Sequence, residues 1–257
     1  MGLASQRVER SDLEAGDHIY TWRTAFTYSH HGIYMGENKV VHFTKDRHSS
    51  PSDSSGPYFS SSGSYNGIAC LDTPDCGFTK DGFGVIISCL NCFLGNGSLY
   101  RFEYGVSTLT FLAKFRGGTC TTAEPDPSET VVHRAMYLLH NGFGNYDLFT
   151  NNCEDFALYC KTGRLVGSSK KREAPTGGSG QATSFLGVPA AAVLALPLRL
   201  FVSNPVVFAV STAATYSLNR YSADIGVRDD AVNVRVEDME LFHGDESTQP
   251  GKRQRRS

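Results

Sequence analysis

The sequence predicts an α+β fold, an antiparallel sheet packed against helices, and three features predict it. Short aromatic and β-branched runs fill the N-terminal half. Two of them are joined by the tight turn Gly36-Glu37-Asn38, which suits antiparallel neighbours. Two helical patterns then follow the strands rather than alternating with them.

Taken in order, the strand runs are His18 to Trp22, Ser29 to Met35 and Lys39 to Phe43. Ser49 to Gly67 is crowded with Ser, Gly and Pro and reads as a loop. Residues 68–120 hold five of the seven cysteines, with further strand-like runs at Gly84 to Ser88 and Ser98 to Tyr104. In Asp126-Pro127-Ser128-Glu129, Asp126 is read as a helix cap, Pro127 as the first helical residue and Glu129 as the end of a capping box. Val131, Ala135, Leu138 and Leu139 then recur at helical spacing. A second helix is expected from Asn152 to near Thr162, with Gly163 as its left-handed stop. On it Cys153, Phe156, Ala157 and Cys160 share one face, and Cys153 falls in the first turn.

The 257 residues suffice for one sizeable core and a smaller appendage. Apolar residues make up 40% and charged residues 19%, which predicts a globular chain. A net charge of −2 supplies no general field for nucleic acid, and no nucleic-acid partner is expected. Met1 to Gly16 is polar and lacks a secretory pattern, and Gln6 stands where a myristoylation signal needs Ser or Thr. The expectation is therefore an intracellular, cytoplasmic chain with reduced thiols.

Cysteine is a nucleophile as thiolate, and its pKa falls at a helix start or beside an imidazolium. Cys153 has the helix start, but Glu154 and Asp155 oppose the effect, so a histidine partner is required. His133 and His140 lie on or near the first helix, where a surface or cap role is the default. His18, His48 and His243 have no supporting context. His30, His31 and His42 remain, on neighbouring strands. Alternation does not choose between His30 and His31, because Ile33 and Met35 are apolar on one side and Tyr34 is amphipathic on the other. His42 is close enough to orient a first imidazole.

Ser29-His30-His31-Gly32-Ile33-Tyr34-Met35-Gly36, then Val40-Val41-His42-Phe43, then Asn152-Cys153-Glu154-Asp155-Phe156 resemble the three motifs of lecithin:retinol acyltransferase and its phospholipase/acyltransferase relatives. The plant NC-domain subset, of the Lead-Sensitive type and tied to stress response, is the most similar. The resemblance covers roughly residues 12–167 and implies a circularly permuted papain-like catalytic domain. It implies that His30 is the base, His42 the third member and Cys153 the acyl-accepting thiol, with His31 in an aromatic or variable place. It further implies a membrane glycerophospholipid as acyl donor, no cofactor for catalysis, and an acyl-thioester passed to water, an alcohol or an amine. Backbone N–H groups at the start of the Cys153 helix are expected to hold the oxyanion. The chain departs from the family at Asp155, where His is common, and in a longer stretch between His42 and Cys153.

That stretch contains Cys70-x5-Cys76 and Cys89-x2-Cys92. Cys76-Gly77 resembles a zinc knuckle and Cys89-x2-Cys92 has ligand spacing, so a structural zinc is one reading. Four reduced cysteines filling core space is the other. Residues 168–184 read as a flexible linker. Residues 185–218 are apolar, interrupted by Pro189, Pro197, Arg199 and Asn204-Pro205. They read either as membrane-associated helices or as helices packed on the catalytic core. Residues 219–257 read as a polar, largely disordered tail ending in Lys252-Arg253-Gln254-Arg255-Arg256. That end is read as a solvated tail, a contact for an anionic surface or an import signal.

Three function classes follow. One is an acyltransferase or phospholipase. Another is a catalytically silent regulatory or stress-response protein of the same fold, binding lipid, metal or a partner protein. The third is an amidase or peptidase using the same thiol chemistry.

Overall fold

A computed structural model describes residues 6–23, 28–45, 70, 74–80, 84–114, 116–148, 151–166 and 204–239. The chain is α+β, as expected. Six strands form one antiparallel sheet in the order β1-β6-β2-β3-β4-β5. They are β1 (Gln6–Arg7), β2 (His18–Arg23), β3 (Tyr28–Gly36), β4 (Lys39–Phe43), β5 (Val85–Cys89) and β6 (Tyr100–Arg101). The β3–β4 turn has Glu37 at φ 48 and Asn38 at φ 63, the left-handed pair a two-residue hairpin turn requires. Asparagine tolerates that region better than most residues.

The register of β3 against β4 decides what each face carries. Ile33 pairs with Val41, and Tyr34 with Val40, so odd-numbered residues of both strands share one face and His30, Gly32 and His42 share the other. Ile33, Val41, Phe43 and Ile87 form the main core with Val131, Leu138, Phe156 and Cys160 of two helices, α3 (Ser128–Asn141) and α4 (Cys153–Thr162). On the opposite face Val40 packs with Leu90 and Phe93 of α1 (Leu90–Leu94). Gly32 is needed there, because a Cβ would lie 2.7 Å from Val40 Cγ1 and 3.0 Å from Phe93.

Helix α3 starts one residue later than expected. Pro127 is its N-cap and Asp126 caps nothing. The Asp126 carboxylate instead accepts from Arg134 Nη1 at 2.6 Å, an ion pair with a residue nearly two turns into the helix. Helix α4 follows the expectation: Asn152 caps it and Gly163 ends it at φ 64. Asp155 closes a capping box, its carboxylate accepting from Asn152 N at 2.9 Å. The residue that departs from the resembled motif therefore has a structural task of its own.

The remaining elements are α2 (Thr108–Ala113), β7 (Arg164–Val166), α5 (Pro205–Ser222) and β8 (Ala231–Asn233). Within the stretch read as a polar tail, β8 pairs with β7, and Val236 and Met239 are buried in the main core. The chain is thus part of the fold through Met239, while 240–257 lie outside the described residues. Of the apolar stretch, 185–203 also lies outside them. Helix α5 is held to α2 through Arg220, whose guanidinium lies 4.9 Å over the Phe111 ring and donates to Lys114 O. Among the described residues no helix is long and apolar enough to cross a membrane.

Candidate active site

Cys153 opens α4 and is 2% exposed. Its Sγ donates to the Ser29 carbonyl at 3.8 Å, and the His31 backbone N–H is directed at the same sulfur. The thiol thus lies against β3 at the two residues that bracket His30. The ladder between β3 and β4 begins at Ile33, and β4 still runs beside Gly32, where a Cβ would lie 3.0 Å from Val41 O.

His30 Nε2 and His42 Nδ1 are 3.0 Å apart, and His42 Nε2 lies 3.0 Å from Ser88 Oγ. The two rings meet edge to face at 4.8 Å, and Phe93 packs at 5.3 Å from one and 5.4 Å from the other. His30 Nδ1 is buried and has no hydrogen-bond partner among the described residues. Arg23 fixes the end of α1 by donating to the Phe93 and Leu94 carbonyls. The sequence thus supplied three of these residues, while Ser88 and Arg23 were missed. Ser88 is legible only once β5 is known to pair with β4.

His31 belongs to a different chain of contacts. Its Nε2 is 2.8 Å from Ser29 Oγ and its Nδ1 2.8 Å from His18 Nε2, and His18 Nδ1 is 2.7 Å from Tyr104 Oη. His18 had no supporting context in the sequence; its setting depends on β2 pairing with β3, with His18 opposite Ile33. His133 sits on the surface of α3, 3.2 Å from Glu237.

Electrostatically the site rests in its neutral form. Burial pushes the Cys153 thiol up to about 12; Glu154 and Asp155 add to the rise, while the His31 N–H opposes it. Burial lowers His30 well below its usual value, helped by His42, Arg23 and His31. Burial lowers His42 to about 3, with a contribution from Arg23. The N-terminal turn of α4 gives less help than expected. Asn152 Oδ1 accepts from Glu154 N at 2.8 Å and Asp155 N at 3.3 Å, so those two donors are occupied. The N–H groups directed at the sulfur belong to Cys153 itself and to His31. Tyr146 hydroxyl also reaches Cys153.

A consequence for stability follows. His18 and His31 are lowered by burial as well, His31 to about 3. Four imidazoles therefore stay neutral in the folded chain and take up protons once it unfolds. Their contribution is fully present above pH 6.5 and is lost as pH falls from there toward 3, because the unfolded state binds the extra protons. Each costs about 1.4 kcal/mol per pH unit in that window. Urea midpoints should fall steeply as pH drops from about 6.5 to 5; a flat profile would mean that these rings are solvated in the folded state.

The four cysteines of the 68–93 stretch converge at the end of β5. Their sulfurs lie within 4.8 Å of one another, with only Cys89 fully buried.

Comparison with known proteins places this geometry in context. Residues 11–166 match the family described as Lecithin retinol acyltransferase. The chain is 50% identical over 247 residues to Protein LEAD-SENSITIVE 1 of Arabidopsis thaliana, covering 93% of this chain and 90% of that one. It is 28% identical over 165 residues to the Lecithin retinol acyltransferase of Homo sapiens, covering 62% and 58%. No solved structure matches.

Proposed function

Since the chain belongs to the lecithin retinol acyltransferase family, we propose that it is a thiol-dependent acyltransferase or phospholipase on a circularly permuted papain-like fold. It takes an acyl group from a membrane glycerophospholipid. One observation carries the reading. In the chain Ser88–His42–His30 the only ring nitrogen without a partner is His30 Nδ1, on the residue that Cys153 brackets.

The protons follow from the contacts. For Nδ1 of neutral His30 to accept, its proton must sit on Nε2 and be donated to His42 Nδ1. His42 then carries its proton on Nε2 and donates to Ser88 Oγ. His30 Nδ1 takes the thiol proton as Cys153 Sγ attacks the ester carbonyl. The imidazolium so formed is stabilised by the His42 lone pair, and it protonates the departing lysophospholipid alkoxide. An acyl-thioester remains on Cys153, and the acceptor, deprotonated by His30, releases the acyl group. The raised thiol and lowered imidazoles mean that no thiolate–imidazolium pair stands at rest. Proton transfer is coupled to attack instead. The N–H groups of His31 and Cys153, which are directed at the sulfur, supply the donors for the oxyanion.

The experiment is incubation with phosphatidylcholine vesicles followed by intact-mass analysis. The expected product is protein carrying one acyl chain, removed by hydroxylamine as a thioester is. Absence of any adduct, with the fold intact, would favour the silent regulatory member of the family instead.

A further inference from the structure

We propose that Cys70, Cys76, Cys89 and Cys92 bind a structural zinc ion that clamps the junction of β5 and α1. This goes beyond the acyl-transfer reading and does not depend on it.

The geometry is that of a tetrathiolate site. With Zn–S near 2.3 Å, the edge of a ZnS4 tetrahedron is about 3.8 Å. Cys70 Sγ lies 3.5 Å from Cys89 Sγ and 3.7 Å from Cys92 Sγ, and all four sulfurs fall within 4.8 Å of one another. A disulfide would need about 2.05 Å, and none of the seven cysteines is disulfide-bonded.

The backbone is arranged as metal-bound thiolates require. Cys89 N donates to Cys76 Sγ at 3.2 Å and Cys92 N to Cys89 Sγ at 3.3 Å. Cys76 precedes Gly77, whose φ of +93° turns the chain after the ligand and whose Cβ position is open. Gly77 N then bonds Ile87 O at 2.8 Å, tying this turn to β5. The second pair comes from the end of β5 and the first turn of α1. Core filling does not explain the cluster, because Cys70, Cys76 and Cys92 are only half-buried. Binding would convert four thiols to thiolates and release their protons to solvent. Four thiolates leave no open coordination position, so the ion would be structural.

What the clamp would hold is specific. Ser88, the residue before Cys89, bonds His42. Phe93, the residue after Cys92, packs on both His30 and His42. One ion would thus fix both neighbours of the imidazole pair.

The test is the metal content of the full chain purified without chelator, by native mass spectrometry and elemental analysis. One zinc per chain is expected, unchanged in Cys153→Ala and lost in Cys76→Ser and Cys92→Ser. Cobalt reconstitution of the metal-stripped wild type should give thiolate charge-transfer bands and the visible bands of tetrahedral Co2+, which reads the site even where a variant folds poorly. Stripping the zinc should lower the melting temperature by at least about 5 °C. Folded wild type without metal overturns the proposal. So does iron in place of zinc, or a native mass lower by the hydrogens of two disulfides. Because Cys153→Ala keeps its zinc in the expected case, failure of acyl transfer and failure of metal binding are read separately.

Discussion

Cys153→Ser is expected to abolish the acyl adduct and lower acyl transfer by roughly 10⁴-fold or more. The reason is the resting state of the site. Burial holds the thiol up at about 12 and keeps His30 far below its usual basicity, so a weak base faces a weak acid. Sulfur still reacts because a thiol loses its proton readily as attack proceeds. A serine hydroxyl is a much weaker acid, and the depressed imidazole is too weak a base to take its proton. The variant should keep its circular dichroism spectrum and melting behaviour, since it changes one buried atom. Cys160→Ala is the control: Cys160 is equally buried in the same helix, and its loss should leave the adduct in place. An adduct that survives in Cys153→Ser, or disappears in Cys160→Ala, would remove Cys153 from the mechanism.

His30→Gln is expected to reduce the rate by about 10²- to 10⁴-fold, the usual share of a general base. His31→Gln discriminates, because both His31 ring nitrogens already have partners in Ser29 and His18. Its loss should cost stability rather than chemistry. If His31→Gln slows transfer as much as His30→Gln while both remain folded, the base has been assigned to the wrong ring. The pH profile adds a second readout. The base must be neutral to act, so activity is lost as pH falls through its folded pKa. Burial, His42 and Arg23 all lower that value, so the acid limb should lie well below 6.5. A limb at 6.5 would indicate a solvated base.

Much of this was legible in the chain because its signals are local. Asn152 before Cys153 and Gly163 after Thr162 bound α4 by their own hydrogen-bonding and backbone preferences. Glu37 and Asn38 close a hairpin for the same kind of reason. Asp126 does not cap because its carboxylate pairs with Arg134, about two helical turns away, a partner that no local cap pattern encodes.

The sequence by itself determined strands β2 to β6 and helices α3 and α4, the helix start beneath Cys153 and the clustering of cysteines at ligand spacing. It also carried the likeness of three motifs to a family. The tertiary structure decided what meets what across distances that no local pattern encodes. Strand alternation left His30 and His31 equivalent. The register Ile33–Val41 set His30 beside His42, and the β2–β3 register gave His31 to His18. The same logic brought Ser88 to His42 and carried Val236 and Met239 into the core. Periodicity says which way a side chain points along its own strand; only the pairing of strands says which neighbour it finds there.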